Sequence, residues 1–200
     1  MQGKLTPTHL DAMTELFNIG IGRAASRMSG VIESPFDLSI PRLELQSVFE
    51  LRRRMLVAQT SGEILSQQFL GDCGGDAYLI INRTSSLELI RILLGDGFGT
   101  LGMGDIEREA LKEITNQLLN ACLGTLAEVL EFEQQGCLPR LVHSKELEER
   151  FRQSNVQVLL VSMVFATDRG RVEGQVAYVM SAVSMERLVG KLNQFLRKYA

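Results

Sequence analysis

An α+β fold is predicted: a tandem duplication of a helix-strand-strand-strand-helix unit, sharing one mixed or antiparallel sheet, with two long motif-bearing helices related by a pseudo-twofold axis. Three observations lead there. Amphipathic helical patterns open both halves of the chain, near Thr8 and near Asp105. Several strand-like runs follow one another with no helix between them, which excludes a βαβ series and calls for antiparallel pairing. The third is recurrence, since Glu15/Asn18 and Ser86-Leu-Glu-Leu return 98 residues later as Glu113/Asn116 and Ser184-Met-Glu-Arg.

From Thr8 to Ser29, the residues Leu10, Met13, Phe17, Ile21, Ala24 and Met28 recur at spacings of three and four, the signature of a helix with one apolar face. Thr8 reads as its N-cap and Gly30 as its stop. Strand-like runs are then expected at Phe36–Leu45, Arg54–Gly62, Ile64–Leu70 and Ala77–Ile81, followed by a helix capped by Ser86 and ending at Leu94. The glycine-rich stretch from Gly95 to Gly102 reads as the linker between halves. The second half is expected to run as a helix from Asp105 to Phe132, a strand at Leu138–Val142 and a charged helix at Lys145–Arg152. Two strands, Val156–Ala166 and Val172–Met180, are joined by a turn at Asp168-Arg-Gly170, and a last helix starts at Ser184. A unit of roughly 95 residues is small for a core of its own. The reading is therefore a single domain spanning 1–200, made of repeats at about 8–95 and 105–199, with two separately folded domains as the alternative.

Composition narrows the function. A net charge of -3 offers no basic field for a phosphate backbone, so nucleic acid is not the expected partner. No apolar run approaches the ~20 residues that span a bilayer, and Met1–Leu10 lacks a signal-peptide core, which together point to a cytoplasmic protein without membrane association. The three cysteines, Cys73, Cys122 and Cys137, have neither disulfide nor CxxC spacing and read as reduced, mostly buried thiols. With only His9 and His143 available, a histidine-rich metal centre is excluded.

The chemistry sits on the two long helices. Asp11, Glu15 and Asn18 stand at i, i+4 and i+7, within ~60° of one another and ~120° from the centre of the apolar set, so they face solvent or a partner. Glu109, Glu113, Asn116 and Asn120 form the matching stripe on the second helix, opposite Leu111, Leu118, Cys122, Leu126 and Val129. A lone Glu-x-x-Asn carries little information, because about half a match is expected by chance at this composition. Here there are two, and each Asn is followed after 22 residues by a proline, Pro41 or Pro139, in a chain with four prolines.

At these positions the sequence resembles the CheC, CheX and FliY family of chemotaxis phosphatases, whose pattern is Asp or Ser, three residues, Glu, two residues, Asn, 22 residues and Pro. Asp11…Glu15…Asn18…Pro41 fits throughout, and Glu15 to Ser26 looks like the family's first motif with Arg23 where Asn is common. The second copy has Glu109 in place of Asp or Ser. Two intact motifs and a chain ending at Ala200 look more like the free-standing CheC type than like CheX, FliY or FliM. The resemblance implies hydrolysis of the aspartyl phosphate of a CheY-like response regulator, with no cofactor of its own and Mg²⁺ carried by the receiver. It implies that Asn18 and Asn116 orient the attacking water, while Glu15 and Glu113 pair with the receiver's lysine; Asp11, Glu109 and Asn120 are possible accessory residues. CheD is a possible second partner. Two other roles stay open, a module that holds a phosphorylated receiver without hydrolysis and a regulator acting mainly through CheD.

Plainer roles attach to the rest. Asp11 and Glu109 also suit the helix dipole at a first turn, and Asn120 a solvated or capping side chain. Gly20 and Gly22 read as close helix packing, with room for an approaching receiver as the alternative. Pro41 and Pro139 read as structural, the run Lys145–Arg152 as a solvated face and most methionines as core filling.

Overall fold

The computed structural model describes residues 5–32, 36–38, 42–99, 103–143, 146–147, 149, 151, 156–167 and 171–199. Helix α1 spans Pro7–Ile32 and α4 Asp105–Val129, the two longest elements besides α5 at Ala182–Tyr199. Between them lie β1 (Phe36–Leu38), β2 (Arg42–Gln46), α2 (Val48–Ser61), β3 (Gly62–Gly71), β4 (Gly75–Asn82) and α3 (Arg83–Leu94). After α4 come β5 (Gln134–Gly136), β6 (Arg140–Leu141), β7 (Val156–Thr167) and β8 (Arg171–Ser181).

All pairing is antiparallel and makes one eight-stranded sheet in the order β1-β7-β8-β4-β3-β5, with β2 also on β7 and β6 also on β3. The halves exchange strands reciprocally. The short β1 and β2 of the first half pair with β7 of the second, β5 and β6 pair with β3 of the first, and β4 meets β8 at the centre from Gly75↔Met180 to Ile81↔Gly174. A continuous sheet was expected; the crossed pairing within it was not.

Both sheet faces are buried, so β4 reads as a continuous apolar run rather than an alternating one. Leu65, Phe69, Leu79, Leu159 and Val176 face the main core with α1, α3, α4 and α5, whereas Ile64, Tyr78, Ile80, Val158 and Ala177 face α2 together with Leu147 and Phe151. Tyr178 locks the sheet centre: its hydroxyl donates to the Cys73 carbonyl at 2.6 Å and accepts from Gln134 Nε2 at 3.0 Å.

Several boundaries differ from expectation. Arg54–Gly62 is not a strand; it belongs to α2, whose Ser47 and Glu50 form a capping box, each side chain bonding the other's backbone N–H at 3.2 Å. The first half therefore has a helix between β2 and β3 that the predicted helix-strand-strand-strand-helix order lacks, and Phe36–Leu45 divides into β1 and β2. Thr6, not Thr8, caps α1 through its hydroxyl and the His9 N–H, with Pro7 in the first turn, and the helix runs through Gly30 to Ile32. Asn82 caps α3 by accepting from Ser85 N–H at 2.8 Å, four residues ahead of the predicted Ser86 cap. Helix α4 ends at Val129, where Glu131 turns to φ 55°, and α5 begins at Ala182. Pro41, the turn at 168–170, the end of the linker and much of the Lys145–Arg152 run lie outside the described residues.

Two buried thiols give the fold a pH dependence. Burial pushes Cys73 up to about 11 and Cys122 up to about 12, from an ordinary value of 9.0. Above that ordinary value the unfolded chain loses these protons while the folded chain keeps them, so stability is full below pH 9 and falls as pH rises toward 11–12. Urea midpoints should be flat up to about pH 8 and decline above about pH 9. A midpoint constant to pH 11 would show that neither thiol is protected.

Candidate functional site

Helices α1 and α4 pack side by side on the main-core face of the sheet, and glycine makes this approach possible. A Cβ at Gly20 would lie 2.8 Å from both the Ala121 carbonyl oxygen and the Cys122 Cα, atoms of backbone that cannot swing away. Gly22, by contrast, has open space around it. The close-packing reading thus holds for the first glycine and not for the second. Arg23 crosses the same seam, donating to Thr125 Oγ1 at 3.2 Å and to Glu128 Oε2 at 2.6 Å.

Because Met13, Phe17, Ile21 and Ala24 are wholly buried, the opposite side of α1 is turned outward. Asp11 and Glu15 are exposed and Asn18 is half-buried; on α4, Glu109 and Glu113 are exposed and Asn116 is half-buried. The seven predicted residues therefore lie on two outward helix stripes, each stripe bringing its Glu and Asn together one turn apart. Glu109 is engaged with Lys112 at 2.7 Å, an ordinary surface pair. His9 is structural: its Nδ1 accepts from Thr6 N–H at 3.2 Å, so Nε2 donates to Asn193 Oδ1 at 3.1 Å, tying α1 to α5.

Similar exposure conceals different surroundings. Among the described residues, the side chains of Glu15 and Asn18 have no hydrogen-bond partner, and Ile19 beside them is 47% exposed. On α4, Glu113 Oε1 accepts from Gln117 Nε2 at 2.9 Å. Asn116 Oδ1 accepts from Asn120 Nδ2 at 2.7 Å and from Gln67 Nε2 at 3.1 Å, and Gln67 Nε2 also reaches Asn120 Oδ1 at 3.3 Å. Gln67 comes from β3, is fully buried, and escaped the sequence reading. Its signal was parity: it shares a strand face with Leu65 and Phe69, where a polar residue is unusual.

The second proline belongs to the same place. On β3, Ser66 pairs with Arg140 and Phe69 with Gly136, leaving Gln67 and Gln68 opposite Cys137, Leu138 and Pro139. Three residues against two is a bulge, and Pro139, lacking an N–H, suits the break in the ladder. The bulge turns the Cys137 carbonyl toward Gln67 Nε2, 2.8 Å away. Thus the spacing from Asn116 to Pro139 measures the path from the middle of α4, past its end at Val129, to the bulge opposite Gln67.

Elsewhere, a cavity of about 860 Å³ lies between α2 and the sheet, lined by Arg42, Arg53 and Arg54 among others, and is remote from both stripes. Open helix faces rather than a cleft suit a substrate that is itself a protein surface. Among the described residues no group of three His, Cys, Asp or Glu is placed to hold a metal ion, and no helix is long and apolar enough to cross a membrane.

No protein-family model matches the chain. The CheY-P phosphatase CheC of Bacillus subtilis (strain 168) is 26% identical over 135 residues, covering 66% of this chain and 65% of the relative, just under two thirds of its length. In sequence the chain is thus similar to a CheC protein over about two thirds of its length. Likeness of fold extends over almost all of the chain: FliY of Thermotoga maritima superposes with a TM-score of 0.71 at 19% identity, covering 98% of this chain and 99% of that one. FliM in the FliG–FliM complex of H. pylori superposes with a TM-score of 0.66 at 17% identity, over 93% and 100% of the two chains. The CheC-type architecture therefore also occurs in a protein found in complex with another protein.

Proposed function

We propose that this chain hydrolyses the aspartyl phosphate of a CheY-like response regulator, using Glu15/Asn18 and Glu113/Asn116 on the outward faces of α1 and α4. The observation that carries the reading is the Glu15/Asn18 stripe: two polar groups one turn apart, outside the core, with no partner among the described residues and with the family's spacing. Groups without a structural task are available to a partner.

In this reading Glu15 pairs with the receiver's active-site lysine, a charge-assisted contact that sets the register of helix on receiver. Asn18 reaches the phosphoryl group one turn later. Its carbonyl accepts a hydrogen bond from the attacking water and its NH₂ donates toward a phosphoryl oxygen. The water oxygen forms the new bond to phosphorus as the bond to the receiver's carboxylate breaks; carboxylate and inorganic phosphate leave, and the water's proton goes to the phosphate. Positioning and charge stabilisation are what such a displacement requires, and Mg²⁺ is the receiver's contribution. CheD remains a further partner implied by the family pattern.

The test is to phosphorylate receivers from the same genome with a small-molecule donor and follow loss of phosphate with and without this protein. Acceleration at substoichiometric protein is expected. Tight binding of a phosphorylated receiver without faster hydrolysis would favour the holding module.

A further inference from the structure

The two centres carry the same Glu/Asn pair in different hydrogen-bonding states, and the difference bears on the step that the amide is asked to perform. Resting on the phosphatase reading above, the geometry points to Gln67 and Asn120 as positioning residues that hold Asn116 with its carbonyl engaged and its NH₂ outward, so that the second centre captures a phosphorylated receiver but hydrolyses it slowly.

The orientation of each amide follows from one fixed acceptor. A backbone carbonyl can only accept, so the Cys137 oxygen, 2.8 Å from the Gln67 amide, requires Nε2 on that side. With Nε2 there, the atom of Asn116 facing it must be the carbonyl oxygen, and Asn120 Nδ2 approaches that same oxygen at 2.7 Å. Reversing Asn116 would set its NH₂ against two donors. Gln67 Nε2 has two hydrogens, one for the Cys137 carbonyl and one shared between Asn116 Oδ1 at 3.1 Å and the more distant Asn120 Oδ1 at 3.3 Å. With Asn120 Nδ2 on its other side, the Asn116 carbonyl has donors in both acceptor directions, and its donor hydrogens remain to face a partner. A donor can hold a phosphoryl oxygen. It cannot accept the proton of an attacking water, the contact that orients the water's lone pair toward phosphorus.

Two features show that the arrangement is built in. Gln67 keeps its Oε1 buried without a partner among the described residues, a cost incurred where only the N–H donors are used. Gly136 leaves the space: a Cβ there would lie 2.4 Å from Asn120 Oδ1 and 2.8 Å from Gln67 Nε2. The first centre has neither amide. Gly22 occupies the place on α1 that Asn120 occupies on α4, four residues after the Asn. On β7 the residues lying between the pairs Leu38↔Phe165 and Arg42↔Ser162 are Met163 and Val164, and the buried Met163 has nothing to donate.

The experiment compares turnover of phosphorylated receiver with binding of a receiver carrying beryllofluoride in place of the phosphoryl group. Asn18→Ala, which leaves only the second centre, should lower kcat by about tenfold or more while still binding the beryllofluoride receiver. Adding Gln67→Met and Asn120→Ala, which give the second centre the surroundings of the first, should raise that residual kcat by about fivefold with little change in binding. A purely structural role for Gln67 would lower both together. Should the triple variant not fold, Asn120→Ala in the Asn18→Ala background removes the shorter bond from a half-buried surface position and should still raise kcat by about twofold. The proposal is overturned if Asn18→Ala keeps half or more of the wild-type kcat, or if folded release variants show no rise. If the wild-type protein accelerates no receiver, the phosphatase reading itself fails and this inference with it, an outcome distinct from an active wild type with two equal centres.

Discussion

Replacing both Asn18 and Asn116 by alanine should lower receiver dephosphorylation by about 30- to 1,000-fold, the effect of losing ~2–4 kcal/mol of transition-state stabilisation from one positioned hydrogen-bonding group. Binding of the receiver should change little, because an amide that orients water contributes mainly after docking. The Glu15→Ala/Glu113→Ala variant should differ in kind: it removes both exposed carboxylates that the proposed function pairs with the receiver's lysine, so affinity and rate should fall together. Stopped-flow loss of phosphate at varied receiver concentration separates the two cases. The direct-water route also excludes a phosphorylated form of this chain, and detection of covalent phosphate on it during turnover would require a nucleophile absent from the two stripes.

The second large effect is on stability. Phe17 lies between Glu15 and Asn18 in sequence but points the other way, wholly buried among the main-core residues. Phe17→Ala should destabilise the protein by ~3–5 kcal/mol through lost burial and the cavity left behind. For a chain of this size that corresponds to a melting temperature lower by about 6–20 °C. A melting temperature within about 3 °C of wild type would mean that α1 is not anchored through this side chain. The contrast with the asparagine variant is informative, since Asn18→Ala alters an outward group that the fold does not use and should leave the melting temperature almost unchanged.

The stripes were legible in the sequence because a helix converts spacing into direction. Once Met13, Phe17, Ile21 and Ala24 define the buried side, the bearings of Glu15 and Asn18 follow from 3.6 residues per turn, and the repeat at Glu113 and Asn116 raises a weak motif above chance. The α+β class was legible from strand runs too closely spaced for helical crossovers. The helix α2 was legible in principle, since Ser47-Val-Phe-Glu50 has capping-box spacing, but the apolar cluster Met55-Leu56-Val57 mimics a strand. Periodicity over so few residues does not separate a helix with Leu51 and Met55 buried from a short buried strand.

Local pattern therefore determined which helices carry the Glu/Asn stripes and which way the stripes face. Tertiary structure alone decided what lies beneath them. The exchange of β1 and β2 onto β7, and of β5 and β6 onto β3, joins residues far apart in the chain, and nothing in either partner strand records the other's register. The contact of Gln67 with Asn116 spans 49 residues and depends on a bulge at Cys137–Pro139, on the absence of a side chain at Gly136 and on the height of α4 above the sheet. Helical periodicity places a residue on a face of its own element; the hydrogen-bonding state of an amide depends on donors brought from other elements, and only their packing determines which donors arrive.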